Sequence, residues 1–166
     1  EIKNLPKVKD IETMLDLIKS LGFSIKKNKI KNSVIIKKKR IKTFASYSLV
    51  KTMRAGILVL GPLISKYKKA TTSLPGGCLI GARPVNFHLN ALGKLGMTHS
   101  IKKGYIYANA HKGLKGSIIK FPKISVGATE NAILAATLAK GKTILKNCAI
   151  EPEIKIDLTN FLNKAG

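Results

Sequence analysis

The sequence predicts a mixed α/β (α+β) fold built from a repeated β-α-β-α-β-β unit of roughly 70 residues. Three observations predict it. A helix pattern that opens near a proline and closes on a glycine occurs three times, over Pro6–Gly22, Pro84–Gly96 and Pro152–Gly166. A hairpin signal follows the first two of these. A further helix and strand precede the last two. The unit boundaries fall near residues 1–43, 44–113 and 114–166.

Each element has a local reason. In the first helix Ile11, Met14, Leu15 and Ile18 recur at helical spacing. The second repeats this with Leu89, Leu92 and Leu95. Phe23–Ile25 leads through a lysine-rich turn into Val34–Ile36, and Met97–Ile101 leads through Lys102-Lys103-Gly104 into Tyr105–Tyr107. Ser48 is placed to cap a helix running from Leu49 to Gly61-Pro62, followed by a strand at Ala70–Leu74. Thr129 is placed to cap a helix over Glu130–Lys140, closed by Gly141 and followed by the strand Thr143–Leu145. Helices this short are marginal alone in water. The three units are therefore expected to share one core of inward helices, with the strands outside.

Composition narrows the function classes. Hydrophobic residues make up 45% of the 166, enough for a real core and too many for a disordered basic tail. The most apolar stretch, Ala55–Ser65, is too short to span a bilayer and contains Gly61-Pro62. No signal-peptide pattern and no initiator Met are present, and the chain reads as a piece of a longer cytoplasmic protein. Two cysteines, Cys78 and Cys148, form neither a metal-ligand pattern nor a disulfide framework. The 31 Lys and Arg against 8 Asp and Glu give a formal charge of +23. That balance suggests a polyanion partner. Yet the lysines are spread along the chain together with Ile and Asn, as an AT-rich codon bias produces. The densest cluster, Lys26–Lys42, is only flanked by Phe23 and Phe44, which argues against specific nucleic-acid recognition.

The chemistry concentrates in Leu74-Pro-Gly-Gly-Cys78-Leu-Ile-Gly-Ala-Arg83-Pro84. Its prolines and glycines make it a loop. A thiol and a guanidinium in a conformationally free loop are what a closing active-site lid needs. A lone cysteine in a turn is ordinarily inert, but near Arg83 and Arg54 its thiol pKa can be lowered toward neutrality, where it can donate a proton and take it back. Arginine forks onto carboxylate or phosphate with paired hydrogen bonds. Arg54, in Lys51-Thr-Met-Arg54-Ala, is otherwise a solvated helix charge. Lys123-Ile124-Ser125-Val126 precedes a helix start and combines a lysine, a hydroxyl and free N–H groups, a set that suits a diphosphate. A plain strand-to-helix turn has the same composition. His88 sits in the second proline-opened helix, where a satisfied structural histidine is the ordinary reading. No Asp or Glu occurs from Leu17 through Thr129. A carboxylate base at the lid must come from the chain ends or from outside this sequence.

Pro75-Gly-Gly-Cys78 through Arg83-Pro84-Val85 resembles the lid of UDP-N-acetylglucosamine enolpyruvyl transferases. Leu49–Ala55, Gly61–Leu63, Lys123–Thr129 and Glu151–Ile154 extend that resemblance over nearly the whole chain. It implies an inside-out α/β barrel domain, helices in the core and sheets outside. This chain would cover most of one domain, with ligands binding against a second domain in cis. The implied activity is transfer of the enolpyruvyl group of phosphoenolpyruvate to the sugar 3-hydroxyl, without metal or organic cofactor. The implied roles are Cys78 as general acid, Arg83 and Arg54 on the anionic ligands, and Arg83, Pro84, Val85, Asn86 and Phe87 with Lys123, Ile124, Ser125 and Val126 on the sugar nucleotide. Three departures stand out: Asn86 replaces the usual Asp, Ile150 replaces a basic residue, and one residue is inserted around Lys155. A sister enzyme of the shikimate pathway and a basic binding module on the same scaffold remain open alternatives.

Overall fold

A computed structural model describes residues 1–28, 30–76 and 85–166. The first unit pairs β1 (Ile2–Lys3) and β2 (Phe23–Asn28) antiparallel on either side of β3 (Ser33–Lys38), with α1 (Lys9–Ser20) packed beneath. Alternation along β3 puts Val34 inward and fully buried while Ile35 faces solvent. A Lys27–Glu12 ion pair links β2 to α1. Gly22 ends α1 at a φ of +92°, and a Cβ there would stand 1.9 Å from the Arg40 carbonyl oxygen. Only glycine fits this closure.

The second sheet has the order β4-β5-β7-β6: β4 (Phe44–Ala45), β5 (Lys69–Ser73), β6 (Thr98–Lys102) and β7 (Tyr105–Asn109). β4 runs parallel to β5, and the β6–β7 hairpin adds on antiparallel. Its two-residue turn, Lys103-Gly104, has φ of 48° and 75°, the pattern whose twist matches paired strands. Phe44 and Tyr105 stack at 5.5 Å. Both stand on the face that alternates with Ala70, Thr72 and Ile106, and the small Thr71 and Ser73 of β5 on that face are buried. The third sheet is a parallel pair, β8 (Ile118–Lys120) and β9 (Ile144–Lys146).

Three helices fill the interior: α3 (Leu60–Tyr67), α4 (Asn86–Lys94) and α5 (Val126–Ala136). Leu60, Ile64, Leu92, Ala128, Ala132 and Ala135 are completely buried, in one cluster with Leu17 of α1 and Ile106 of β7. The helices are inside and the sheets outside, as expected. No helix among the described residues is long and apolar enough to cross a membrane.

Three local expectations are corrected. No helix runs from Leu49 to Gly61-Pro62. A single turn, α2 (Tyr47–Val50), stops at Lys51, Met53 is extended (φ −145°, ψ 128°), and a 3₁₀ helix over Arg54–Val59 leads into α3. Met53 is 4% exposed, so burial of its side chain takes precedence over helical continuity. Gly61-Pro62 lies inside the first turn of α3, where the proline's missing N–H costs nothing. The cap of α5 is Ser125, four residues before Thr129: its Oγ accepts from the Ala128 N–H at 3.4 Å. Thr129 lies within the helix and donates to the Ser125 carbonyl at 2.8 Å. The proline-opened segment at Pro152 begins as a π-helical turn over Glu153–Leu158 and continues as α6 (Thr159–Ala165). Lys155, around which the resemblance implies an inserted residue, lies within that π-helical turn.

Candidate functional site

The interior helices meet around one polar side chain. Asn131 lies in an apolar stretch of α5 and is completely buried. Its Oδ1 accepts from the Gly61 N–H at 2.8 Å. Its Nδ2 donates to the Ile57 carbonyl at 3.2 Å and lies 3.1 Å from Nδ1 of His88. Gly61 makes this approach possible, since a Cβ there would stand 2.3 Å from Asn131 Oδ1.

These partners join the starts of three helices. Gly61 is in the first turn of α3, and Ile57 is in the 3₁₀ helix that begins at Arg54. His88 is in the first turn of α4. Gly127, in the first turn of α5, faces the His88 ring: its ideal Cβ would lie 3.3 Å from Cε1. The network therefore links the segments carrying Arg54, Val85-Asn86-Phe87 and Lys123-Ile124-Ser125-Val126. Arg54, Asn86, Lys123, Ile124 and Val126 are exposed; Val85, Phe87 and Ser125 are half-buried. Val85 and Phe87 pack against the core, which anchors the exposed Asn86 between them. Cys78, Arg83 and Pro84 lie outside the described residues.

The electrostatics of this end are those of an anion-accepting surface. Helix starts present N–H groups and partial positive charge, here with Arg54 and Lys123 added. The Ser125 hydroxyl caps Ala128 as acceptor and keeps its own hydrogen to donate. Burial holds the His88 imidazole down at about 4, so it is neutral at physiological pH. Behind this face Glu130 is raised above the ordinary carboxylate range, first by burial and then by the charge of Glu151. The Glu151-Pro152-Glu153 segment is tied to α5 through Thr129, whose Oγ1 accepts from the Ala149 N–H at 3.1 Å. Cys148 is half-buried and packs against the core. Among the described residues no group of three His, Cys, Asp or Glu is placed to hold a metal ion.

Asn131 and Gly61 were not singled out by the sequence as site residues. The available signal was an asparagine set among Ala, Ile and Leu in Asn131-Ala-Ile-Leu-Ala-Ala. A buried amide of that kind requires partners.

An inward three-helix core under outer sheets, with its helix starts gathered at one polar end, defines a known class. The chain belongs to the EPSP synthase (3-phosphoshikimate 1-carboxyvinyltransferase) family, whose model matches residues 1–166. Within that family it is similar to proteins named UDP-N-acetylglucosamine 1-carboxyvinyltransferase. The one from Pelagibacter ubique is 67% identical over 165 residues, 99% of this chain and 39% of that protein. Those from Wolinella succinogenes and Rickettsia akari are 50% and 51% identical over 99% of this chain. The chain thus spans about two-fifths of the length of these relatives, 39% or 40%. The enolpyruvyl transferase NikO from Streptomyces tendae shares the fold, with a TM-score of 0.81 at 17% identity over 97% of this chain and 38% of its own. EPSP synthase from Acinetobacter baumannii follows, with a TM-score of 0.63 at 19% identity over 85% of this chain and 33% of its own. These last two are likenesses of fold.

Proposed function

We propose that this chain is one partial catalytic domain, in units near 1–43, 44–113 and 114–166, of a cytoplasmic enzyme. That enzyme transfers the enolpyruvyl group of phosphoenolpyruvate to the 3-hydroxyl of UDP-N-acetylglucosamine and releases phosphate, the first committed step of peptidoglycan synthesis. The observation that carries this is 67% identity, over essentially the whole chain, to a relative of that name. The lid sequence Pro75-Gly-Gly-Cys78 through Arg83 supports it.

In this reading Cys78 delivers its proton to the methylene carbon of phosphoenolpyruvate. The sugar 3-hydroxyl oxygen bonds to the adjacent carbon and its proton passes to a base in the second domain. The carbon–oxygen bond to phosphate then breaks, a methyl proton passes back to the Cys78 thiolate, and the double bond re-forms. Arg83 and Arg54 offset the charge of the carboxylate and phosphate. Val85, Asn86 and Phe87 at the start of α4, and Lys123, Ile124, Ser125 and Val126 at the start of α5, receive the sugar nucleotide. Asn86 contributes a neutral amide rather than a carboxylate there. No cofactor or metal enters the scheme.

Thermal unfolding of the longer protein tests it. Protection by UDP-N-acetylglucosamine, increased by phosphoenolpyruvate, is expected. Protection by shikimate-3-phosphate instead would assign the sister activity, and protection by RNA alone would make the chain a basic binding module.

A further inference from the structure

Asn131 has a single self-consistent hydrogen-bond assignment. The Gly61 N–H can only donate, so the atom facing it is the amide oxygen. The Ile57 carbonyl can only accept, so it faces the amide nitrogen. Nδ2 lies 3.1 Å from His88 Nδ1 and its second hydrogen can only be donated, so His88 Nδ1 is the acceptor and carries no proton. The proton of the neutral ring then resides on Nε2. That nitrogen lies over the first turn of α5, 3.6 Å from where a Gly127 Cβ would stand.

We propose that Asn131 is a positioning residue of the site: it joins the starts of α3 and α5 to His88 and fixes the His88 tautomer, so that Nε2–H is presented as a donor at the first turn of α5. The role given to that donor rests on the sugar-nucleotide reading above, whose ligand offers acceptor oxygens there. The tautomer lock itself does not depend on it.

The surroundings agree. The two residues seen against the ring, Asn131 and Gly127, are uncharged. The ionisable residues on the elements of this network are Arg54 at the start of the 3₁₀ helix, Lys66 and Tyr67 on α3, Lys94 on α4 and Glu130 on α5; the elements packed against α4 and α5 add His99 and Lys102 on β6, Lys120 on β8, and Glu153, Lys155 and Asp157 on the π-helical turn. The depression of His88 has burial as its cause. A protonated ring would also set an Nδ1–H donor against the Asn131 amide hydrogens, so the network and the desolvation act in the same direction.

The test is imidazole ¹⁵N NMR on the longer protein, with the His88 signal identified by its loss in His88→Gln. In the unsubstituted protein the signal is expected as the neutral Nε2–H tautomer, unchanged between pH 5 and 8. An Nδ1–H tautomer, or titration near the ordinary histidine value of about 6.5, overturns the proposal without recourse to a variant. In Asn131→Asp the carboxylate can only accept, so Nδ1 must take up a proton and titration should enter the range of about pH 6–8. The KM for UDP-N-acetylglucosamine should rise roughly tenfold, the loss of one good hydrogen bond, with kcat changed much less. A purely structural asparagine would lower the unfolding midpoint yet leave the imidazole signal and the KM-to-kcat balance unmoved, and that result also overturns it. If the sugar nucleotide does not bind at all, the functional reading fails, and the imidazole signals still decide the role of Asn131.

Discussion

Replacing Gly61 by alanine should destabilise the protein although alanine is the better helix former. Its Cβ would stand 2.3 Å from Asn131 Oδ1 and 2.7 Å from the Asn131 carbonyl oxygen, with the Ala135 nitrogen at 3.4 Å. One obstacle is the α5 backbone at the completely buried Asn131, so α3 and α5 must separate. Overpacking of this kind costs about 1–3 kcal/mol. The separation also stretches the buried Gly61 N–H···Oδ1 bond, now 2.8 Å, and stranding those groups costs roughly 1–3 kcal/mol more. Against this, alanine over glycine within a helix gains about 0.5–1 kcal/mol. The net expectation is a loss of about 1–5 kcal/mol. Gly93, on the exposed side of α4, is the matched control: a Cβ there meets nothing within 4 Å. Gly93→Ala keeps the propensity gain and should stabilise. Urea unfolding followed by circular dichroism reads both. At a slope of about 2 kcal/mol/M, Gly61→Ala should lower the midpoint by about 0.5–2.5 M and Gly93→Ala should raise it by a few tenths. A Gly61→Ala midpoint at or above that of the unsubstituted protein would refute the close crossing of α3 and α5.

Four further outcomes are expected. His88 is held at about 4 in the fold against an ordinary 6.5, so its contribution is fully present above pH 6.5 and is lost as pH falls through that window, up to roughly 3 kcal/mol at pH 4; the acid limb of a pH–stability curve should flatten in His88→Gln. Glu130 is raised, so its ionised form disfavours the fold; Glu130→Gln should raise the melting temperature at pH 7, with the difference closing below the ordinary carboxylate pKa. Thr129→Val keeps the shape but leaves the Ala149 N–H without its acceptor, and should cost about 1–3 kcal/mol in denaturant titration. Under the proposed mechanism Cys78→Ala should lower turnover at least ~10²-fold, while Cys78→Asp retains more; mass spectrometry should find a fosfomycin adduct on Cys78 and none on Cys148, and an adduct on Cys148 would remove the thiol at 78 from the mechanism.

What the sequence revealed and what it hid divide along sequence distance. Gly22 and the Lys103-Gly104 turn were legible because their cause is local: the residue type alone permits the backbone conformation. Apolar spacing placed Leu89, Leu92 and Leu95 in the core, where all three are buried. The helix expected from Leu49 failed because the cause of its break is remote: Met53 is drawn into a core assembled from other units. The cap of α5 was misplaced because Gly127 looks like a breaker, and its actual use, letting the His88 ring lie against the helix, requires a residue 39 positions away. The short strands β1, β4 and β8 carry too little pattern to be read alone and exist through their partners. The Asn131 contacts span 43, 70 and 74 residues, beyond the reach of any local window.

The grouping of helix starts at one end follows from topology. β8 and β9 run parallel, so the helix between them returns against their direction and begins at their carboxyl ends. β4 and β5 repeat this with α3. A helix start always carries more N–H groups than the helix can satisfy. Two sinks serve this end: the amide oxygen of Asn131 on the inside and, in the proposed function, anionic ligand oxygens on the outside. Placing a primary amide in an apolar core is costly unless every polar atom finds a partner, and here the oxygen and both hydrogens do. An amide satisfied on all sides tolerates only one mutual arrangement of α3, α4 and α5, so the atoms that specify the core also set the spacing of the site. Stability measurements alone therefore cannot separate the two roles of Asn131, whereas the protonation state of His88, which reports the direction of a single hydrogen bond, can.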